Sequence, residues 1–155
     1  AIQDAGASWL TVHARTKADG YTPPAYWEKI QPITEALNIN VIANGEIWNN
    51  SDAKTCLQQS HCQDIMLGRG AVTTPDLSLC IRQNNDATVL SWQDLIELQQ
   101  RFLTGQYKTE IGMIGRYKQW LGMMSKAYPE AQQLWAQVKR IKQLEQIIEY
   151  LDKSC

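Results

Sequence analysis

The 155-residue sequence predicts an α/β segment followed by an all-α segment. Up to about residue 83, short apolar runs alternate with helix-spaced stretches of about ten residues, the pattern of parallel β/α units buried on both faces. After residue 90 the strand-like runs stop and only helical spacing continues. The polar stretch "NNDATVLS" (84–91) lies between the two, giving expected domains 1–88 and 89–155. Hydrophobic residues make up 44% and charged residues 20%, an ordinary globular composition.

The opening "AIQDAGAS" reads as a helix end with Gly6 as its cap, so the chain is expected to begin inside a domain. "SWLTVH" (8–13) is the first strand, with Trp9, Leu10 and Val12 as core. "PAYWEKIQPITEAL" places Trp27, Ile30, Ile33 and Leu37 at helical spacing, with Pro32 marking a kink or a second start. "INVIAN" is the second strand, and "SDAKTCLQQ" is a helix capped by Asn50 or Ser51. "DIMLGRG" is the third strand, and "PDLSLCIRQ" is a helix with Pro75 in its first turn. Beyond the boundary, "SWQDLIELQQRFLTG" has Ser91 as N-cap, apolar positions 92, 95, 96, 98 and 102, and Gly105 as stop signal. Helical patterns follow over about 109–126, 129–141 and 141–152. Three strands leave a sheet incomplete, so the N-terminal half of the same protein is expected as a partner. A dimer through the open sheet edge is the alternative for the isolated chain.

No apolar run approaches the ~18 residues that span a bilayer. With no basic start and no signal-type apolar core, a cytoplasmic location without membrane attachment is expected. The four cysteines (56, 62, 80 and 155) lack a framework spacing, which suits free thiols. Cys56, His61 and Cys62 lie close together but lack the paired spacing of a zinc site, so no metal is expected. The formal charge of −1 is unevenly spread. Residues 1–105 carry 7 basic and 11 acidic side chains; residues 106–155 carry 8 and 5. Between 108 and 142, Lys108, Arg116, Lys118, Lys126, Lys139, Arg140 and Lys142 face only Glu110 and Glu130. That stripe is either a contact for an anionic polymer or a solvated helix face. Tyr117, Trp120 and Tyr128 share the apolar spacing of Leu121 and Met124, so they read as core rather than as stacking platforms.

In parallel β/α folds the chemistry collects at the carboxyl ends of the strands. Here those ends are His13–Ala14–Arg15, Asn44–Gly45–Glu46 and Gly68–Arg69–Gly70. Gly68 and Gly70 let backbone N–H groups approach an anion that Arg69 could clamp; the alternative is a plain tight turn. Gly45 permits positive φ between two polar residues. Two such consecutive ends correspond to the phosphate site after strands 7 and 8 of a TIM-type barrel, of which these would be the last three β/α units. His13 and Arg15 alternate, so both are expected on one face, suited to a planar anionic ligand. A histidine bonded to structural backbone is the alternative there.

"HARTKADGY", "VIANGEI" and "IMLGRGA" together resemble the bacterial tRNA-dihydrouridine synthases, and the whole chain is similar to the C-terminal half of their C subfamily. "GRYKQWLGMMSKAYPEAQQLW" resembles that subfamily's helical tRNA-recognition domain. The resemblance implies an FMN-dependent reductase: NADPH reduces the flavin, hydride passes to C6 of the D-loop uridine at tRNA position 16, and a cysteine protonates C5. It also implies cofactor contacts at Asn44, Gly45, Glu46, Gly68 and Arg69. His13 would lie near the flavin ring with Arg15 beside it, and Arg116, Lys118 and Lys139 would meet tRNA. The family's proton-donating cysteine belongs upstream, and none of the four cysteines here stands in its context, so this chain alone is expected to be inactive. A non-catalytic phosphate- or RNA-binding module is the other functional class open to this sequence.

Overall fold

The computed structural model describes residues 1–105 and 109–154. These form two compact units: Ala1–Ala71 with Leu77–Ala87, and Val72–Asp76 with the residues from Thr88 on.

The first unit is built on three parallel strands in the order β1 (Trp9–His13), β2 (Asn40–Asn44) and β3 (Asp64–Met66). Register pairs His13 with Asn44 and Asn44 with Met66, so all three strands end level. Between β1 and β2 lie a 3₁₀ turn, Trp27–Lys29, and helix α1, Gln31–Ala36, with Pro32 in the first turn of α1, where its missing N–H is harmless. Helix α2 (Asn50–Ser60) links β2 to β3. Its cap is Asn49, whose side chain accepts from the Asp52 N–H, one residue before the expected cap.

After β3 the expected single helix is two. Short α3 (Arg69–Thr73) starts directly at the strand's end, α4 is Leu77–Arg82, and Pro75 stands in the turn between them. The N-terminal "AIQDAG" is a run of turns rather than a helix, although Gly6 does take positive φ (+89°).

The core of this unit centres on β2, with Val41 and Ala43 buried against Ile30, Ile47, Ala53, Cys56 and Cys62. Trp9 departs from its expected core position and is 64% exposed, because β1 is a sheet edge here. Cys56 is a packing residue: burial pushes its thiol up to about 12, which keeps it protonated. His61 is the left-handed C-cap of α2 (φ +56°).

In the second unit α5 (Trp92–Leu103), α6 (Glu110–Met124), α7 (Pro129–Val138) and α8 (Leu144–Asp152) share one apolar core. On α6, Met113, Ile114, Tyr117, Leu121 and Met124 are buried, the spacing of one helical face. Tyr117 is fully buried, and its hydroxyl donates to Gln99 Oε1 at 3.0 Å. Tyr128 is buried and Trp120 half-buried, both packed into this core. Ser91 and Asp94 cap α5 reciprocally. Buried Asp76 accepts from the Val89 and Leu90 N–H groups, fixing the approach to that helix. Among the described residues no helix is long and apolar enough to cross a membrane.

Candidate functional site

The level carboxyl ends of the three strands make one rim. Along it runs a chain of side-chain bonds: His13 Nδ1 lies 2.9 Å from Asn44 Oδ1, and Asn44 Nδ2 donates to the Met66 carbonyl at 2.8 Å. Since the amide nitrogen faces Met66, Oδ1 faces His13, and Nδ1 is the donor. That leaves Nε2 as the ring atom available to a ligand.

Gly45 follows with φ +125°, and a Cβ there would lie 3.1 Å from His13 Cε1. Glycine therefore lets the imidazole lie against the turn. Trp27 Nε1 donates to the Gly45 carbonyl at 2.8 Å, holding the turn from behind.

Glu46 is left-handed (φ +53°), a strained conformation for a residue with a side chain. Its carboxylate gathers two guanidinium groups and one indole N–H. Oε1 is 2.9 Å from Arg15 Nη2 and 2.6 Å from Arg69 Nη2, and Oε2 accepts from Trp48 Nε1 at 3.0 Å. Burial works against the charged form, but the hydrogen bond from Trp48 and the close Arg15 and Arg69 guanidinium charges outweigh it, holding Glu46 below the usual carboxylate range.

Arg15 has no exposed side-chain surface. Its Nε donates to the Pro24 carbonyl at 3.2 Å; neither Nη1 nor Nη2 makes a hydrogen bond among the described residues, so Nη2 meets Glu46 as an ion pair. The expected alternation with His13 does not carry that far: β1 ends at His13, and the chain then turns Arg15 inward.

Arg69, partly exposed, lies over two rings, with Cζ 4.8 Å from the Tyr21 centroid and 5.3 Å from that of Trp48. At Gly70 an added Cβ would come within 2.0 Å of the Ile47 carbonyl oxygen, so only glycine allows this close approach; Gly68 is open. The result is a cavity of about 300 Å³ lined by His13, Tyr21, Asn44, Gly45, Glu46, Ile47, Trp48, Met66 and Gly68–Gly70. Sequence reasoning alone misses Tyr21 and Trp48. Trp48, two residues past a strand-end glutamate, is the signal that points to the pair.

A model of the family described as "Dihydrouridine synthase (Dus)" matches residues 1–154. The chain belongs to the dihydrouridine synthase family. It is 44% identical over 158 residues to a tRNA-dihydrouridine(16) synthase of Shewanella oneidensis, covering 99% of this chain and 49% of that protein. It is 42% identical to the like-named protein of Pseudomonas putida (90% and 45% covered) and 41% identical to that of Neisseria meningitidis (95% and 46%). The chain spans about half the length of the curated relatives it matches.

The expected RNA-contacting residues all lie in the second unit. Arg116 is exposed on α6, and Lys139, also exposed, is the C-cap of α7. Lys118 is half-buried and donates to the carbonyls of Lys139 (3.1 Å) and Ile141. Lys108, at one end of the basic stripe, and Cys155 lie outside the described residues.

Proposed function

We propose that this chain supplies the last three β/α units of a TIM-type barrel (residues 1–88) and the helical tRNA-recognition region (89–155) of a flavin-dependent tRNA-dihydrouridine synthase. The reaction is reduction of the D-loop uridine at tRNA position 16, with FMN as cofactor and NADPH as reductant, in the cytoplasm. One observation carries this reading: His13, Asn44, Gly45, Gly68 and Arg69 line a single cavity at the carboxyl ends of parallel strands.

The residues suit a flavin phosphate. Gly68 is open to an incoming group, Gly70 draws the turn against Ile47, and Arg69 offers a partly exposed guanidinium steadied by two rings. Arg69 would hold the phosphate, with backbone at Asn44–Glu46 and Gly68 beside it. His13 Nε2 would meet the ring system. The Glu46 side chain takes a different part from direct phosphate contact, since two anions repel. From the inner side it pairs with Arg15 and fixes the direction of Arg69. When bound and reduced, FMN would supply the hydride for uridine C6. Proton delivery to C5 is assigned to a cysteine of the N-terminal half. Cys56, Cys62 and Cys80 are buried and do not line the cavity.

Titration of the intact apoprotein with FMN tests the assignment. Arg69→Ala removes a charge-assisted contact of about 1.5–3 kcal/mol, a loss of roughly ten- to 150-fold in affinity. Wild-type FMN affinity in that variant would refute it. An intact protein with no flavin absorbance would favour the binding-module reading instead.

A further inference from the structure

Lys118 projects from α6 onto the connection between α7 and α8, with its ammonium donating to the carbonyls of Lys139 and Ile141. A second tie comes from the same helix, where Glu110 Oε1 accepts from the Leu144 N–H at 3.3 Å. Between these ties Ile141 packs on the apolar core, while Lys139, Arg140 and Lys142 stay exposed. The connection is thus a short, pinned loop that presents three cations.

No acidic residue occurs from 131 to 144, and among the described residues none of Lys118, Lys139, Arg140 and Lys142 lies in an ion pair with a carboxylate. Burial and the neighbouring Lys142 charge hold the Lys118 ammonium below the ordinary lysine value. Crowded like charges cost free energy in the free protein, and an anionic partner relieves that cost.

We infer that Lys118 is a positioning residue rather than a phosphate contact, and that it pins the loop whose Lys139, Arg140 and Lys142 grip RNA phosphates. The inference rests on the tRNA reading above and reassigns the roles within it. A loop fixed before binding loses less conformational entropy when it meets RNA, so the effect of Lys118 is transmitted through three neighbours.

The test is tRNA binding by the intact protein across a salt series. Each phosphate contact contributes roughly 0.9 to the slope of log affinity against log salt. Lys118→Met is expected to weaken binding on the order of ten-fold at 0.1 M salt and to lower the slope by more than one contact's worth. Combined with Lys139→Ala, Arg140→Ala and Lys142→Ala, it should add nothing further. Lys118→Arg, which keeps donors for both carbonyls, should restore both affinity and slope.

A loss of only about 0.9 in slope that persists in the triple-variant background would make Lys118 itself the contact and overturn the inference. So would a lower melting temperature with unchanged binding. Failure of the wild-type protein to bind tRNA at all would instead overturn the tRNA reading and the loop's role with it.

Discussion

Glu46 shows how much one side chain can organise. Its carboxylate is the shared partner of a buried and a partly exposed arginine, so removing its charge strands Arg15, whose side chain has no exposed surface. Glu46→Gln is expected to lower the melting temperature and, under the function proposed above, to weaken FMN binding through the released Arg69. The effect has a definite pH signature. The folded-state pKa lies below the ordinary glutamate value of about 4.5. The stabilisation is therefore present above that value and is lost as pH falls through the lower folded pKa. The wild-type protein should lose melting temperature more steeply than Glu46→Gln below about pH 4.5, and equal acid slopes in thermal melts would remove Glu46 from this role. None of this is legible in "ANGEI". The motif announces a polar turn, but which cations reach the carboxylate depends on β1 ending at His13 and on residues 23 positions apart.

At the scale of elements, the sequence is most readable where local chemistry alone decides the outcome. Ser91 and Asp94 each satisfy the other's backbone N–H at the start of α5, so that start follows from four consecutive residues. Ser91→Ala is accordingly expected to cost about 1 kcal/mol in a denaturant titration, with the slope against denaturant unchanged. The strand ends are legible for the same reason, since a glycine or polar residue closes each apolar run. Local signals fail where two residues compete for one role. Asn49, Asn50 and Ser51 can each cap α2, and packing of the buried Asn50 leaves the task to Asn49. They fail again where a neighbouring element sets exposure: an apolar Trp9 reads as core, yet an edge strand leaves it open. Nor does the sequence show whether a cation on a helix faces solvent or, like Lys118, the carbonyls of another connection.

For the whole molecule, the rim bond from His13 through Asn44 to Met66 has a consequence in chemical ageing. Asn44–Gly45 is the sole asparagine–glycine step in the sequence, the dipeptide in which the glycine nitrogen most readily attacks the side-chain amide to expel ammonia. In the folded protein both ends of that amide are engaged across neighbouring strands. Deamidation at this step should therefore track global opening, slow in native buffer and fast in denaturant, as peptide mapping by mass would show. Equal rates in the two conditions would mean that the rim gives no protection. The converted residue could not return to its place. An aspartate would turn an oxygen toward the Met66 carbonyl, where Asn44 donates, so each unfolding excursion risks leaving a carboxylate that the closed sheet cannot accept. A side chain bonded to both neighbouring strands would then double as a record of how often the protein has been unfolded.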